Sequence, residues 1–321
     1  MLSKYWTITS KPQIQADSNI FLVAGEDVQI EGCVIKNTHL TINPNQKPLL
    51  STSIKPGEHL QEDAIGVCIA SDREDVAIGD VVFHRKGMRQ LSKITTEDRI
   101  QTVPWQDIDP SFYLSLLGTP GKTAWVSMTE IMKLQPGMTV GISGCSGTVG
   151  VLLAQMALKI GCKVIGYTST QEKADWLETL GVQPIVSSDT TLERLDKATK
   201  QLAPDGFDAY HENVDNVHLL TAIQNMKLNG TIALCGLMKS YTQNMGPGPN
   251  LLGTIYKNVN IQGFGIDNYK ESIQENFYDY MEDIYADFEF NQHIVPGIMT
   301  VPALYTDLYN AYGRGKLIIK I

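Results

Sequence analysis

The sequence predicts an α/β protein in which a β-rich N-terminal module precedes a parallel sheet wound with helices on both faces. Three observations lead there. Residues 21 to about 105 carry short β-forming runs, "FLVAG", "VQIEGCVIK" and "AIGVCIA", punctuated by Gly, Pro and Asn. From about residue 115 strands alternate with helical patterns, the rhythm of a doubly wound sheet. At the first strand-to-helix turn of that region stands "GISGCSGTVG", residues 141 to 150, with four glycines in ten positions.

Whole-chain properties bound the reading. At 321 residues, with 43% hydrophobic and 19% charged residues, the chain suits a globular protein of two domains. A net charge of -9 without a basic cluster argues against a nucleic-acid partner, because nothing is arranged to neutralise a phosphate backbone. The five cysteines (Cys33, Cys68, Cys145, Cys162, Cys235) form no C-x-x-C pair, which suggests neither a disulfide framework nor a zinc ribbon and fits a reducing compartment. The N-terminus "MLSKYWTITSK" lacks an apolar leader core, and no stretch approaches the roughly 18 apolar residues of a membrane span, so a cytoplasmic location is expected.

The elements follow in order. In the first module "VAIGDVVFH" adds a turn at Gly79-Asp80 and a strand. In the wound region Met138 to Ser143 read as a short buried strand. After the glycine turn, Val149, Leu152, Leu153, Met156 and Ile160 fall at helical spacing, and Gly161 supplies a stop. "KVIGYT" is the second strand; the next helix opens with Ser169 and Glu172 at capping-box spacing and closes at Gly181. Further strands are expected at 184–186, 207–214, 230–236 and 259–266, with helices near 191–202, 217–227 and 251–258. Six strands complete a dinucleotide-binding sheet.

A bare glycine turn has two readings. It can be a tight turn without a ligand, or a cradle whose exposed N–H groups and following helix N-terminus hold a phosphate. Its position on the first β-α turn of a six-stranded wound domain favours a cofactor diphosphate. The motif runs G-x-x-G-x-x-G through Gly144, Gly147 and Gly150, and Cys145 takes the first glycine position of the commoner fingerprint. About 20 residues on, an NAD site would offer a carboxylate to the ribose 2′-hydroxyl; here Thr168, Ser169 and Thr170 stand, followed by Lys173. Hydroxyls, a helix N-terminus and an ammonium favour a 2′-phosphate, hence NADP. Ser169 could equally be a plain helix cap and Lys173 a solvated side chain.

The run "YLSLLGTPGKTAWVSMTEIMKLQPGMTVGISGCSGTVGVLLAQMALKIGCKVIGYTSTQEKADWLETLGV", with "APDGFDAYHENV", "NMKLNGTIALCGLMKSYT", "GPGPNLLGTIYKNVNIQGF" and the terminal "GRGKLIIKI", resembles the zinc-free medium-chain dehydrogenase/reductases. The similarity is to the branch of prostaglandin and leukotriene reductases, plant alkenal double-bond reductases and bacterial curcumin reductase. It is dense over residues 111 to 270 and thins toward the N-terminus, where "LTINPNQK" looks like a drifted "LSLDPYMR". The resemblance implies a GroES-like, partly open β-barrel from residues 1–114 completed by 293–321. A Rossmann six-stranded domain would be inserted at 115–292, with the active site in the cleft between. It implies NADPH-dependent hydride transfer to the β-carbon of an α,β-unsaturated aldehyde or ketone, and often a homodimer. Its cofactor contacts would fall on Gly144, Gly147, Thr148, Val149, Gly150, Thr168, Ser169, Thr170, Lys173, Asn213, Cys235, Gly236 and Phe264. The metal ligands of the zinc-dependent cousins have no counterpart, since none of the six histidines pairs with a cysteine at ligand spacing.

Hydride delivery to an enone pushes negative charge onto the carbonyl oxygen, so the site needs a hydrogen-bond donor there. A tyrosine, protonated at neutral pH, can donate, and the branch's tyrosine after the fifth strand matches Tyr241 in "CGLMKSYT". Packing is the alternative for Tyr241, and strand-end capping for Asn213. Several positions depart from the branch: Ser187-Ser188-Asp189 replace "NYK", Asp215-Asn216 replace "GG", "GMRQL" (Met88 and Leu91 included) replaces "GWxEY", Asn45-Gln46 replace "YM", and Gly313 replaces an asparagine. Those in the barrel line the substrate side in the family. A quinone acceptor, or a dinucleotide-binding protein with little turnover, therefore stand as alternatives to an enal or enone reductase.

Overall fold

The computed structural model describes residues 1–12, 18–44, 46–188, 190–241, 244, 248–309 and 315–321. Asn45, Asp189 and Gly313 lie outside the described residues. The chain divides into two units, Met1–Thr119 with Gln292–Ile321, and Pro120–Asn291.

The first unit begins with β1 (Leu2–Ile8) paired antiparallel to β2 (Phe21–Asp27). There follow β3 (Cys33–Thr41), a short helix α1 (Gln46–Thr52), β4 (Ala64–Ala70), β5 (Val81–His84), β6 (Leu91–Ile94) and β7 (Ile100–Thr102). Helix α1 was not foreseen, because "QKPLLST" has too few residues to show a periodicity. Its side chains Gln46, Lys47 and Leu50 are buried, so tertiary packing holds it.

The second unit opens on α2 (Thr119–Val126), which runs into a wide π-type turn, Ser127–Ile131. Its six strands are β8 (Thr139–Ile142), β9 (Lys163–Thr168), β10 (Gln183–Val186), β11 (Phe207–Glu212), β12 (Met226–Leu234) and β13 (Asn260–Gly263). All pair parallel in the order β10-β9-β8-β11-β12-β13. Helices α3 (Thr148–Lys159), α4 (Gln171–Thr179), α5 (Leu192–Leu202), α6 (Asn216–Asn225) and α7 (Leu252–Lys257) connect them. This is the Rossmann arrangement, in which the winding direction reverses between β8 and β11. Strands covered on both faces must be apolar throughout, and Ile165, Tyr167, Phe207, Tyr210 and Ile232 form one buried cluster with Leu195, Leu219 and Ile223 from the helices. Gly141 is required here: a Cβ would stand 2.4 Å from the Tyr210 ring.

Several boundaries moved from the expectation. Strand β11 ends at Glu212, two residues before the expected Val214. The cap of α4 is Thr170, whose hydroxyl accepts from Lys173 N, and Ser169 does not serve that role.

The chain then returns to the first unit with β14 (Gln292–Pro296), the helix Val301–Tyr309 and β15 (Lys316–Lys320). Among the described residues that sheet runs β14-β15-β3-β4-β5-β7, with β6 on β3, and its ends do not meet, which leaves the barrel partly open. The return is fixed by burial: Val301, Leu304, Tyr305 and Ile319 pack with Trp6, Ile8, Leu40, Leu60 and Met88. Each such side chain removed from water stabilises by about 1.5–3 kcal/mol. The Trp6 indole N–H, which must find an acceptor once buried, donates to Ile298 O at 2.7 Å. Cys33 and Cys68 are buried in this unit, Cys145 and Cys162 in the other. Among the described residues no helix is long and apolar enough to cross a membrane, and no three His, Cys, Asp or Glu side chains gather as a metal set.

Candidate cofactor and active site

Because all six strands of the second unit run parallel, every loop that follows a strand emerges at one edge of the sheet. The predicted residues therefore converge by topology. Gly144 to Gly150 follow β8, Ser169 to Lys173 follow β9, Asn213 follows β11, Cys235, Gly236 and Tyr241 follow β12, and Phe264 follows β13. The edge next to the reversal between β8 and β11 is where open wound sheets bind ligands.

The glycine turn is a cradle by necessity. Gly144 has φ +59°, and a Cβ on Gly150 would lie 2.5 Å from the Gly144 carbonyl oxygen. Gly147 caps α3 with no side-chain bond, so the first-turn N–H groups, those of Thr148, Val149 and Gly150, face outward from an exposed glycine. That donor set and the helix dipole fit a diphosphate. Cys145 turns the other way: its N–H donates to Tyr167 O at 2.9 Å, and its thiol fills the space that a Cβ on Gly166 would occupy, 2.6 Å away. A side chain is tolerated at this motif position because β9 supplies a glycine beneath it.

At the end of β9, Thr168 is buried and its hydroxyl is joined to Ser146 Oγ at 2.7 Å, which ties the glycine turn to the second strand. Ser169 Oγ accepts from Lys173 Nζ at 3.2 Å, so an ammonium and a hydroxyl sit together beside the α4 N-terminus. Thr170 is spent as the cap.

The end of β11 is held from three sides. Ser143 Oγ accepts from Asn213 N at 2.7 Å, which joins β8 to β11 at the reversal. Asn213 Oδ1 lies 2.5 Å from where a Cβ on Gly236 would be, so a glycine is needed there. The buried Glu212 carboxyl accepts from Val214 N (2.6 Å) and Asp215 N (3.0 Å) through Oε1. Burial pushes its pKa up to about 8, so at neutral pH it is a neutral acid shaping the loop. Tyr241 ends a 3₁₀ turn, Met238–Tyr241, bonded to that loop through Met238 N to Asn213 O (3.1 Å) and Lys239 N to Val214 O (3.0 Å). Its phenol is half-buried, and burial, with Cys235 beside it, raises its pKa and keeps the proton on. The Cys235 thiol is pushed up to about 12 by burial and by Glu212.

Sequence reasoning gave no role to Ser143, Glu212 and His218, and marked Ser187 only as a departure from the branch. The D-x-x-H spacing of Asp215 and His218 after a strand was the available signal, since it is the pattern of a helix cap. In the first unit, Gln46 donates to Gln61 O (2.9 Å), Met88 packs with Trp6, and Leu91 packs with Val28 and Val34. These three departures from the branch are core positions.

A family model described as zinc-binding dehydrogenase matches residues 148–284. Prostaglandin reductase 1 of Bos taurus is 29% identical over 89% of this chain and 88% of its own length. A 2-alkenal reductase (NADP(+)-dependent) of Nicotiana tabacum is 27% identical over 90% and 87%. Both likenesses point to the zinc-independent medium-chain dehydrogenase/reductases, which the chain resembles. Among solved structures, CurA from Vibrio vulnificus superposes on this chain with a TM-score of 0.89 at 21% identity, covering 99% of this chain and 98% of its own, and has also been solved with NADPH. The expected wound sheet and partly open barrel are thus both present.

Proposed function

We propose that the chain uses NADPH to reduce the C=C bond of α,β-unsaturated aldehydes or ketones. The observation that carries this reading is the convergence of the glycine cradle, the Ser169–Lys173 pair and the Tyr241 turn on one edge of the sheet. A bound reduced nicotinamide supplies the hydride for the β-carbon. The chain's own part is to bind and to stabilise charge. The cradle and the α3 N-terminus hold the diphosphate, and Lys173 with Ser169 meets the 2′-phosphate. Tyr241, kept protonated by burial, donates its O–H to the oxygen that becomes negative as the β-carbon accepts hydride.

The test is a panel of enals, enones and quinones offered with NADPH and with NADH. Formation of the saturated carbonyl compound from an enal or enone, with NADPH preferred, is expected; oxidation of NADPH by quinones alone would overturn the substrate class. In the same assay Tyr241→Phe is expected to lower turnover at least about tenfold, the loss of one positioned donor. Unchanged turnover would make Tyr241 a packing residue.

Cytoplasmic location is part of the proposal, supported by the thiols that stay unpaired in the fold. So is a homodimer. Helix α7 leads into the edge strand β13 and exposes Leu252 (53%), Ile255 (72%) and Tyr256 (77%), an apolar face that a second copy would cover. Light scattering at micromolar concentration separates dimer from monomer, and Ile255→Lys should shift the balance to monomer.

A further inference from the structure

The carboxyl of Glu212, the last residue of β11, holds the two residues that in turn hold Lys239, and Lys239 stands two places before Tyr241. Glu212 Oε1 accepts from Val214 N at 2.6 Å and from Asp215 N at 3.0 Å. Val214 O then accepts from Lys239 N at 3.0 Å, and Asp215 Oδ2 pairs with Lys239 Nζ at 2.7 Å. The main chain of Glu212 grips the same loop at its start, its carbonyl accepting from Cys235 N (2.9 Å) and Gly236 N (3.2 Å). Within the turn Ser240 N donates to Leu237 O at 2.8 Å, so the position of Lys239 passes on to Tyr241. Asn213 is independent of the carboxyl, since Ser143 Oγ holds its N–H.

The contacts also say where the proton of this neutral acid lies. An oxygen that accepts two N–H groups is the unprotonated one, so the proton sits on Oε2. That atom is buried and has no hydrogen-bond partner among the described residues. The Ser143 hydroxyl beside it spends its proton on His211 O at 3.3 Å. Ionised, Oε2 would be a buried anionic oxygen without a donor, and burial accordingly pushes Glu212 up to about 8. The titratable groups that face it are Tyr210 on β11, Tyr167 from β9, Cys235 from β12 and Asp215 in its own loop. Burial keeps the two phenols and the thiol protonated. Burial alone would raise Asp215 too, but hydrogen bonds from His218 and Lys239 hold it well below the usual carboxylate range, so it is the anion of the group and a charge on Glu212 would stand against it.

We propose that Glu212 is a positioning residue for the reduction: acting through Val214, Asp215 and Lys239, it sets where the Tyr241 hydroxyl stands. It serves best without a charge. As the β-carbon accepts hydride, negative charge gathers on the oxygen to which Tyr241 donates, and a carboxylate buried behind the same loop would oppose it. The inference rests on the Tyr241 reading above.

Turnover of an enone with saturating NADPH, alongside the dissociation constant for NADPH, tests it on the full chain. Glu212→Ala is expected to lower kcat at least about fivefold at pH 7, a modest figure for a donor moved out of line, and to change NADPH binding less than about twofold, since Asn213 and the glycine turn keep their own supports. Glu212→Gln offers the same acceptor on a neutral group and should recover most of that loss. In a Tyr241→Phe background Glu212→Ala should cost nothing more, because both changes act on one contact. With pH, the native kcat should fall as Glu212 ionises above about 8, while Glu212→Gln holds its rate at least about one pH unit further. That comparison stands even if Glu212→Ala does not fold. A Glu212→Gln profile that falls with the native one, a loss that adds to that of Tyr241→Phe, or equal losses in kcat and NADPH affinity would overturn the proposal. Tyr241→Phe with native turnover, or a native chain that reduces no enone, refutes instead the reading beneath it, and the inference with that.

Discussion

Lys173 is partly buried at the N-terminal turn of α4. Its Nζ touches Ser169 Oγ, and the phosphate it would meet carries most of its charge outside the sheet. Removing it should therefore matter only for the phosphorylated cofactor. Lys173→Ala is expected to raise the Michaelis constant for NADPH about tenfold, a few-kilocalorie charge-assisted contact at most, and to leave that for NADH nearly unchanged. Equal effects on both would return Lys173 to the surface as an ordinary solvated side chain. At this scale the sequence was a partial guide. The choice of hydroxyls and an ammonium at 168–173 was legible because it is local. The Ser187–His218 contact was not, because 31 residues separate its members and only the pairing of β9 with β10 brings Ser187 to Thr168.

Elements were legible to the extent that their side chains are periodic. "KVIGYT" was read as a strand from Lys163 to Thr168, and β9 has those bounds. Helix α3 was found from its apolar spacing, although it is buried nearly all round rather than striped. Misses cluster where no period exists. Strand β12 starts at Met226, four residues before the expected Gly230, and the π-type turn after α2 was not seen at all. That turn carries Ser127, whose hydroxyl meets His211 Nδ1 at 2.8 Å, a partner 84 residues away. The contact of β9 with the glycine turn gives a prediction at this scale. Gly166→Ala would put a Cβ 2.6 Å from Cys145 Sγ and 2.8 Å from Val182 Cγ1. Overpacking of this kind costs typically 1–3 kcal/mol, so chemical denaturation should show a loss in that range, relieved in part by Cys145→Gly. No loss would mean that the glycine turn shifts freely, contrary to a cradle fixed by the sheet.

For the molecule as a whole, buried imidazoles and buried carboxyls pull stability in opposite directions with pH. Burial, helped by Arg89, lowers His84 to about 3, and burial lowers His211 to about 4; both imidazoles take up a proton only on unfolding below about 6.5. Glu212 runs the opposite way. Raised to about 8, it holds a proton in the folded chain that the unfolded chain loses above about 4.5, so its contribution fades as pH rises toward 8. Glu62, raised to about 8 by burial and by Asp63, acts in the same direction as Glu212, so between 4.5 and 6.5 two imidazoles and two carboxyls offset, and above 6.5 the carboxyls prevail. Thermal unfolding midpoints should accordingly change little from pH 4.5 to 6.5 and decline above that, at about 1.4 kcal/mol per pH unit and net proton. Glu212→Gln should lessen the alkaline decline; a decline as steep as that of the native chain would place the cause elsewhere.

The interior position of the thiols bears on survival during turnover. Unsaturated carbonyl compounds are soft electrophiles that add to thiolates, and a reductase for them works amid its own poison. Burial raises all five cysteines, Cys33 to about 11 and Cys235 to about 12, so hardly any thiolate is available at neutral pH. Native protein incubated with excess acrolein, digested and mapped by mass spectrometry should carry no cysteine adducts, whereas protein unfolded in urea should be modified at all five. Rapid adduct formation on the native chain would show that folding gives no such immunity.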